Sequence, residues 1–197
     1  MEPQERRQQI LDRAGEIFAA KGVAATTIRE IGDAVGVRSG ALYHYFPSKD
    51  AIVAEIVRIY LQDLVDNVHA VTAVEPTERI EALAEIALRC SHKYLHATSI
   101  WRREGDYIHA TILEQGNIGE LFGQFEREWS NTLAVGVAQG IFRDDVDLDV
   151  VDHMLRYAIW SSSEWHTLTE DKNVDWLAHE VVKVILGGLL RAQNVQP

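Results

Sequence analysis

Apolar residues recur at three- and four-residue spacing along most of this chain, and the alternation that marks strands is nearly absent. Glu5 to Lys21 is amphipathic through Ile10, Ala14, Ile17 and Phe18. Thr27 to Phe46 reads as two short helices hinged at a glycine. Thr27 followed by Glu30 matches a capping box, and Ile28, Ile31 and Val35 give the first helix one apolar face. Gly36 stands where that helix needs a left-handed terminal residue, and Val37 can plug the turn. Arg38, Ser39 and Gly40 open the second helix with little bulk, so a phosphate or base edge can approach. Leu42 and Phe46 are spaced to point inward, which leaves Tyr43, His44 and Tyr45 on the other faces. A hinged amphipathic pair of this kind is how a helix-turn-helix protein places a helix in the major groove.

The pattern beyond this pair predicts further helices with short breaks. Ser48 can cap a helix reaching about Val71, with Ile52, Ile56, Ile59 and Leu64 as its stripe. Pro76 starts another to about Leu95, with Ile80, Leu83, Ile86 and Ala87 inward. Breaks follow near Gly105, Gly116 and Gly119. Helices are then expected over Glu120–Gln139, about Leu148 to His166, and Asp175–Arg191. The expected fold is all-α with about nine helices.

Charge changes the picture because the formal net charge is −11, the wrong sign for a DNA binder. Residues 1–50 carry seven Lys/Arg against seven Asp/Glu, so the excess of acid lies entirely in the remainder. The window from Gly36 to Lys49 holds Arg38 and Lys49 and no acid. The helical pair is therefore the surface least repulsive to phosphate, and bulk attraction is not its means of binding.

The single cysteine, Cys90, excludes an intrachain disulfide and suits a reducing cytoplasm. No apolar stretch is long enough to span a bilayer, and the polar N-terminus lacks a signal-peptide core. Cys90, His92 and His96 include a His–xxx–His spacing that a metal can use, but helical histidines are more often simple surface or core residues, and no metal site is assigned. Ser161–Ser163 lacks a glycine-flanked nucleophile elbow, and no phosphate loop or paired-carboxylate signature appears. Neither catalysis nor a cofactor is expected.

The run from Ile10 to Asp50, ILDRAGEIFAAKGVAATTIREIGDAVGVRSGALYHYFPSKD, resembles the N-terminal domain of the TetR family of bacterial transcriptional repressors. Phe18, Gly22, Thr26, Thr27, Ile31, Ala34, Gly36, Val37, Gly40, Leu42, Tyr43, Phe46 and Lys49 stand in register with the family pattern. Gly32 departs from it, replacing the usual Ala and weakening its helix slightly. The resemblance implies a helix-turn-helix DNA-binding domain over residues 1–50, with the helix-turn-helix at 27–46, and a ligand-binding and dimerisation domain over 51–197. It implies phosphate contacts from Thr26, Thr27 and Lys49. Arg38, Ser39, Gly40, Tyr43 and His44 are the groove-facing candidates, Arg38 meeting either guanine or a phosphate. Tyr45 is assigned a phosphate or packing role.

In the family the last two long helices pair with those of a second subunit. Val150, Val151, Met154, Ile159, Val181, Val182, Ile185, Leu186 and Leu189 supply apolar surface for that here. Gly187–Gly188 fits either a close helix approach or a frayed end. The resemblance thus implies a homodimeric repressor on a palindromic operator, released by a small-molecule effector; the alternative is an activator or ligand-independent regulator working through a protein partner. Arg156, Trp160 and Glu164 share one helix face, where a cation beside a large ring suits an anionic, partly apolar ligand, or an Arg–Glu pair flanks the dimer seam. Trp101 and Trp129 complete the ligand-lining candidates. IFRDDVDLDVV and LRYAIWSSSEWH are also similar to the TetR branch controlling fatty-acid and sterol catabolism, which implies an acyl-coenzyme A thioester as effector. Glu164 departs from this, standing where a second cation for a coenzyme A phosphate is expected.

Overall fold

The computed structural model describes residues 3–190, except for the side chains of 163 and 164. It is all-α, and the described residues form no strand beyond an isolated bridge between Phe142 and Leu190. The helices are α1 (Pro3–Lys21), α2 (Ile28–Val35), α3 (Ser39–Leu42), α4 (Lys49–His69), α5 (Pro76–Lys93), α6 (Leu95–Arg103), α7 (Gly105–Tyr107), α8 (Ile118–Ala138), α9 (Leu148–Trp160), α10 (Ser162–Trp165) and α11 (Val174–Leu189). A π-helical turn, Ile108–Ile112, follows α7. None of these helices is long and apolar enough to cross a membrane.

Contacts divide the chain into two compact units, one within Met1–Gln62 and Tyr94–Phe122, the other within Asp63–Lys93 and Gly123–Pro197. In the first unit α1 packs on both α2 and α6. Ile10, Phe18, Ile31 and Leu42 are fully buried, and Phe46 nearly so. Each such side chain contributes roughly 1.5–3 kcal/mol relative to exposure. Arg103 donates to the Ala19 carbonyl at 2.9 Å, tying α6 to the end of α1. In the second unit α11 packs on α5 and α9. Its core takes Ile80, Leu83 and Leu88 from α5, Leu155 and Ile159 from α9, and Val182 and Leu186 from α11.

The structure revises several expected boundaries. The helix expected from Leu148 to His166 ends at Trp160, and Ser161 separates it from the single turn of α10. Before and after the expected break near Gly105, where no helix is expected, the chain forms α6, α7 and the π turn. The expected end of the last helix at Arg191 lies outside the described residues. Ile159, Val182, Leu186 and Leu189, expected on a dimer seam, are buried within their own chain. Val150 and Met154, expected on the same seam, are exposed on α9, as are Tyr157 on α9 and Val184 on α11.

The hinge between α2 and α3 follows the residue pattern. Gly36 adopts φ 71°, the left-handed region. Its N–H donates to the Asp33 carbonyl at 3.2 Å and the next N–H, from Val37, to Gly32 at 2.9 Å. A Gly36→Ala variant keeps the same contacts, since nothing lies within 4 Å of an added Cβ. It should still lose about 1–2 kcal/mol, the steric cost of a left-handed L-residue, read as a lower thermal midpoint. Gly32 is more than a weak helix former: a Cβ there would lie 2.8 Å from the Val37 carbonyl oxygen. The glycine lets the turn fold back closely on α2.

Candidate nucleic-acid interface

The hinge delivers α3 with its small N-terminal residues outward. Arg38, at the N-cap of α3, is exposed, as are Gly40, Tyr43 and His44, while Ser39 is half-buried. Leu42 and Phe46 anchor the opposite side in the core. The helix is shorter than the sequence pattern suggests. After Leu42 the chain tightens into i to i+3 turns, His44 donating to Ala41 at 3.2 Å and Tyr45 to Leu42 at 2.9 Å. Tyr43 is 51% exposed, so its ring is available to a partner. The result is a small, acid-free protrusion with one guanidinium, one imidazole and one phenol on its outer side.

The three residues expected at phosphates are placed differently from one another. Thr27 is exposed and caps α2, its hydroxyl oxygen accepting from the Glu30 N–H at 3.2 Å. The reciprocal half of the expected capping box is replaced, because the Glu30 carboxylate pairs with Lys21. Thr26 is buried, and its hydroxyl donates to the Gly22 carbonyl at 2.7 Å. That places Thr26 inside the turn before α2. Lys49 is half-buried and donates to two carbonyls, Val23 at 2.6 Å and Thr26 at 2.9 Å, so most of its donor capacity holds that turn. Tyr45 is half-buried.

The ligand candidates separate into two places. Trp101 belongs to the first unit, stacking near Phe122 and His109 with ring centroids 5.0 and 5.9 Å away. Trp129, Arg156 and Trp160 belong to the second. There Phe125 lies 6.1 Å from Trp129 and 6.0 Å from Trp160, and the Arg156 guanidinium sits 5.7 Å from the Trp160 ring. Arg156 is buried and donates to Asp152 at 2.6 Å and to Glu126 at 2.8 Å. Sequence reading missed both carboxylates; the i, i+4 spacing from Asp152 to Arg156 was the available signal. Burial pushes the Asp152 carboxyl above its ordinary range, against the pull of Arg156. The Glu164 side chain lies outside the described residues.

Polar capacity is left over around this cluster. Trp129 Nε1, Asp152 Oδ1 and Arg156 Nε are buried without a hydrogen-bond partner among the described residues. Orphaned polar groups of this kind cost free energy unless something else satisfies them. The histidine pair fares worse as a metal site. His92 ends α5 with Nδ1 2.9 Å from the Leu88 carbonyl, and His96 follows a helix break at Tyr94. Burial pushes the Cys90 thiol up to about 12, and no metal-holding group of three such ligands occurs among the described residues.

Comparison with known proteins bears on both regions. Residues 10–56 match the model of the tetR family of bacterial regulatory proteins. The HTH-type transcriptional repressor KstR2 of Rhodococcus jostii is 33% identical over 191 residues, covering 96% of this chain and 93% of that protein. KstR2 of Mycolicibacterium smegmatis is 31% identical, covering 98% of this chain and 95% of the relative. Among solved structures, the ketosteroid transcriptional regulator KstR2 of Mycobacterium tuberculosis superposes with a TM-score of 0.83 at 27% identity, over 95% of this chain and 96% of that one.

Proposed function

The chain belongs to the tetR family of bacterial regulatory proteins, and from that premise we propose a homodimeric repressor that releases a palindromic operator when an acyl-coenzyme A thioester binds. The observation that carries the reading is the acid-free protrusion of α3, with Arg38, Ser39, Gly40, Tyr43 and His44 arranged for the major groove. Thr27 contributes a phosphate contact, with Thr26 and Lys49 holding the turn behind it. Residues 1–50 act as the reading head and 51–197 as the effector-binding and dimerisation region.

Two heads are needed to span successive grooves of a palindrome. The exposed row Val150, Met154 and Tyr157 lies at i, i+4 and i+7 on α9, and Val184 is 74% exposed on α11. Gly187 and Gly188 follow Val184 on α11, with no neighbouring atom among the described residues within 4 Å of an added Cβ. These features support a second copy packing on α9 and α11. Met154→Asp should shift the protein to monomer by burying a lone carboxylate in that contact, at a cost of several kcal/mol. Sedimentation of both forms checks this; an unchanged dimer places the contact elsewhere.

The effector reading rests on Arg156 beside Trp160, with Trp129, and on the orphaned atoms around them. A thioester offers acceptors to such donors, and the ketosteroid role of a relative supports a sterol-derived acyl group. Calorimetric titration with straight-chain and sterol-derived acyl-coenzyme A esters, paired with operator release, tests it. Release by at least one ester is expected. If none binds or releases DNA, the effector belongs to another chemical class.

A further inference from the structure

The turn before α2, from Gly22 to Thr26, is held from two sides. Lys49 takes the Val23 and Thr26 carbonyls from within the head. The Val23 N–H is taken by Glu104, 81 residues further along the chain, whose Oε1 accepts it at 3.1 Å. Gly22 makes this approach possible: it adopts φ 90°, and a Cβ there would lie 2.8 Å from the same carboxylate oxygen. Three residues beyond Glu104, the Tyr107 hydroxyl donates at 2.6 Å to Asp50, the neighbour of Lys49. Burial, reinforced by the Asp50 carboxylate, pushes the Tyr107 phenol upward, so it stays protonated and keeps donating. The helix widens to a π turn immediately after Tyr107, which buries Ile108 and Ile112 completely and fixes where Tyr107 can reach.

We propose that Glu104 and Tyr107 are positioning residues for operator binding, setting the start of α2 and hence the pose of α3 without touching DNA; this rests on the DNA-binding reading above. Val23 is bonded on both its N–H and its carbonyl, so a shift of Glu104 pulls on the same residue that Lys49 holds, through the two peptide units that flank its Cα. A displacement of about 1 Å at a docking helix is enough to lose well-formed contacts. The pair also gives any change in α6 and α7 a direct route to the head, because both segments lie in the same compact unit. Control of operator affinity through Arg103–Tyr107 therefore needs no movement of α3 relative to α2.

The test uses the full chain and a labelled duplex from the DNA flanking its own gene. Glu104→Ala should weaken binding about tenfold, the equivalent of one lost hydrogen bond to a charged group. Glu104→Gln keeps an acceptor for Val23 and should stay within about twofold of wild type. Tyr107→Phe should weaken binding by up to about tenfold. Because no phosphate contact is lost, the slope of log affinity against log salt should stay at the wild-type value in all three. Amide exchange should rise at Val23 in Glu104→Ala and stay protected in Glu104→Gln. Wild-type affinity in both Glu104→Ala and Tyr107→Phe overturns the proposal alone. So does a loss in Glu104→Ala that Gln fails to restore, or one explained by a fall in thermal midpoint. If the wild type binds no duplex better than unrelated DNA, the DNA-binding reading falls first and takes this one with it.

Discussion

Replacing Tyr43 with alanine should abolish specific operator binding while leaving fold and dimer intact. Tyr43 is 51% exposed at the C-terminal end of α3, between the buried anchors Leu42 and Phe46. Truncating it opens no cavity, so the stability change should stay within about 0.5 kcal/mol. At the DNA the ring and hydroxyl are both lost. One good contact is worth roughly 1–3 kcal/mol of discrimination, or about 10–100-fold for each reading helix. In a dimer that loss is incurred twice, so the combined effect is about the square. Anisotropy titration against operator and unrelated duplexes reads it, with sedimentation as the control. Loss of the dimer or of the fold would mean that Tyr43 belongs to the packing and not to the reading surface.

The second large effect is expected at Arg156. Arg156→Ala leaves Asp152 buried beside Glu126 with no cation, and should destabilise by about 3–5 kcal/mol. The double variant Asp152→Leu with Arg156→Met removes both buried charges at once. It should be neutral, or more stable by about 1–4 kcal/mol, because apolar packing replaces a desolvated pair. Glu126 can turn to solvent, its side chain being 39% exposed. If the pair is retained for the effector, the double variant should bind operator normally and fail to release it with acyl-coenzyme A esters. Urea unfolding and ligand-dependent release read the two halves. A double variant as unstable as the single one makes the pair a structural requirement. One that releases DNA like the wild type moves the effector site elsewhere.

Local signals carried much of the fold. Thr27 as a cap, Gly36 in the left-handed region, and Ile31, Leu42 and Phe46 as inward residues all follow from spacing a reader can see. The all-α architecture follows from the same periodicity. What spacing does not carry is partner choice across long stretches of chain. Lys49 and Thr26 sit where the family pattern puts them, but their bonds to the turn at Gly22–Thr26 have no sequence signature. The bonds from Glu104 to Val23 and from Tyr107 to Asp50 span 81 and 57 residues and leave no local trace. Residues 95–112 carry a weak periodic signal because their helices are short and end in a π turn, which breaks the 3.6-residue period. The seam residues show the same limit. Val182 and Leu186 share the apolar composition of Val184, and only the packing of α11 on α5 and α9 separates core from surface.

On the function proposed above, the acidic composition of residues beyond 50 should make affinity depend on two correctly posed heads more than on bulk attraction. The most direct measurement is therefore equilibrium binding of the purified full chain to DNA flanking its own gene, against an unrelated duplex of equal length, across a salt series. Saturable binding of two copies per site, at least about a thousandfold tighter than to the unrelated duplex, is predicted. Equal affinity for both duplexes at every salt concentration would contradict it.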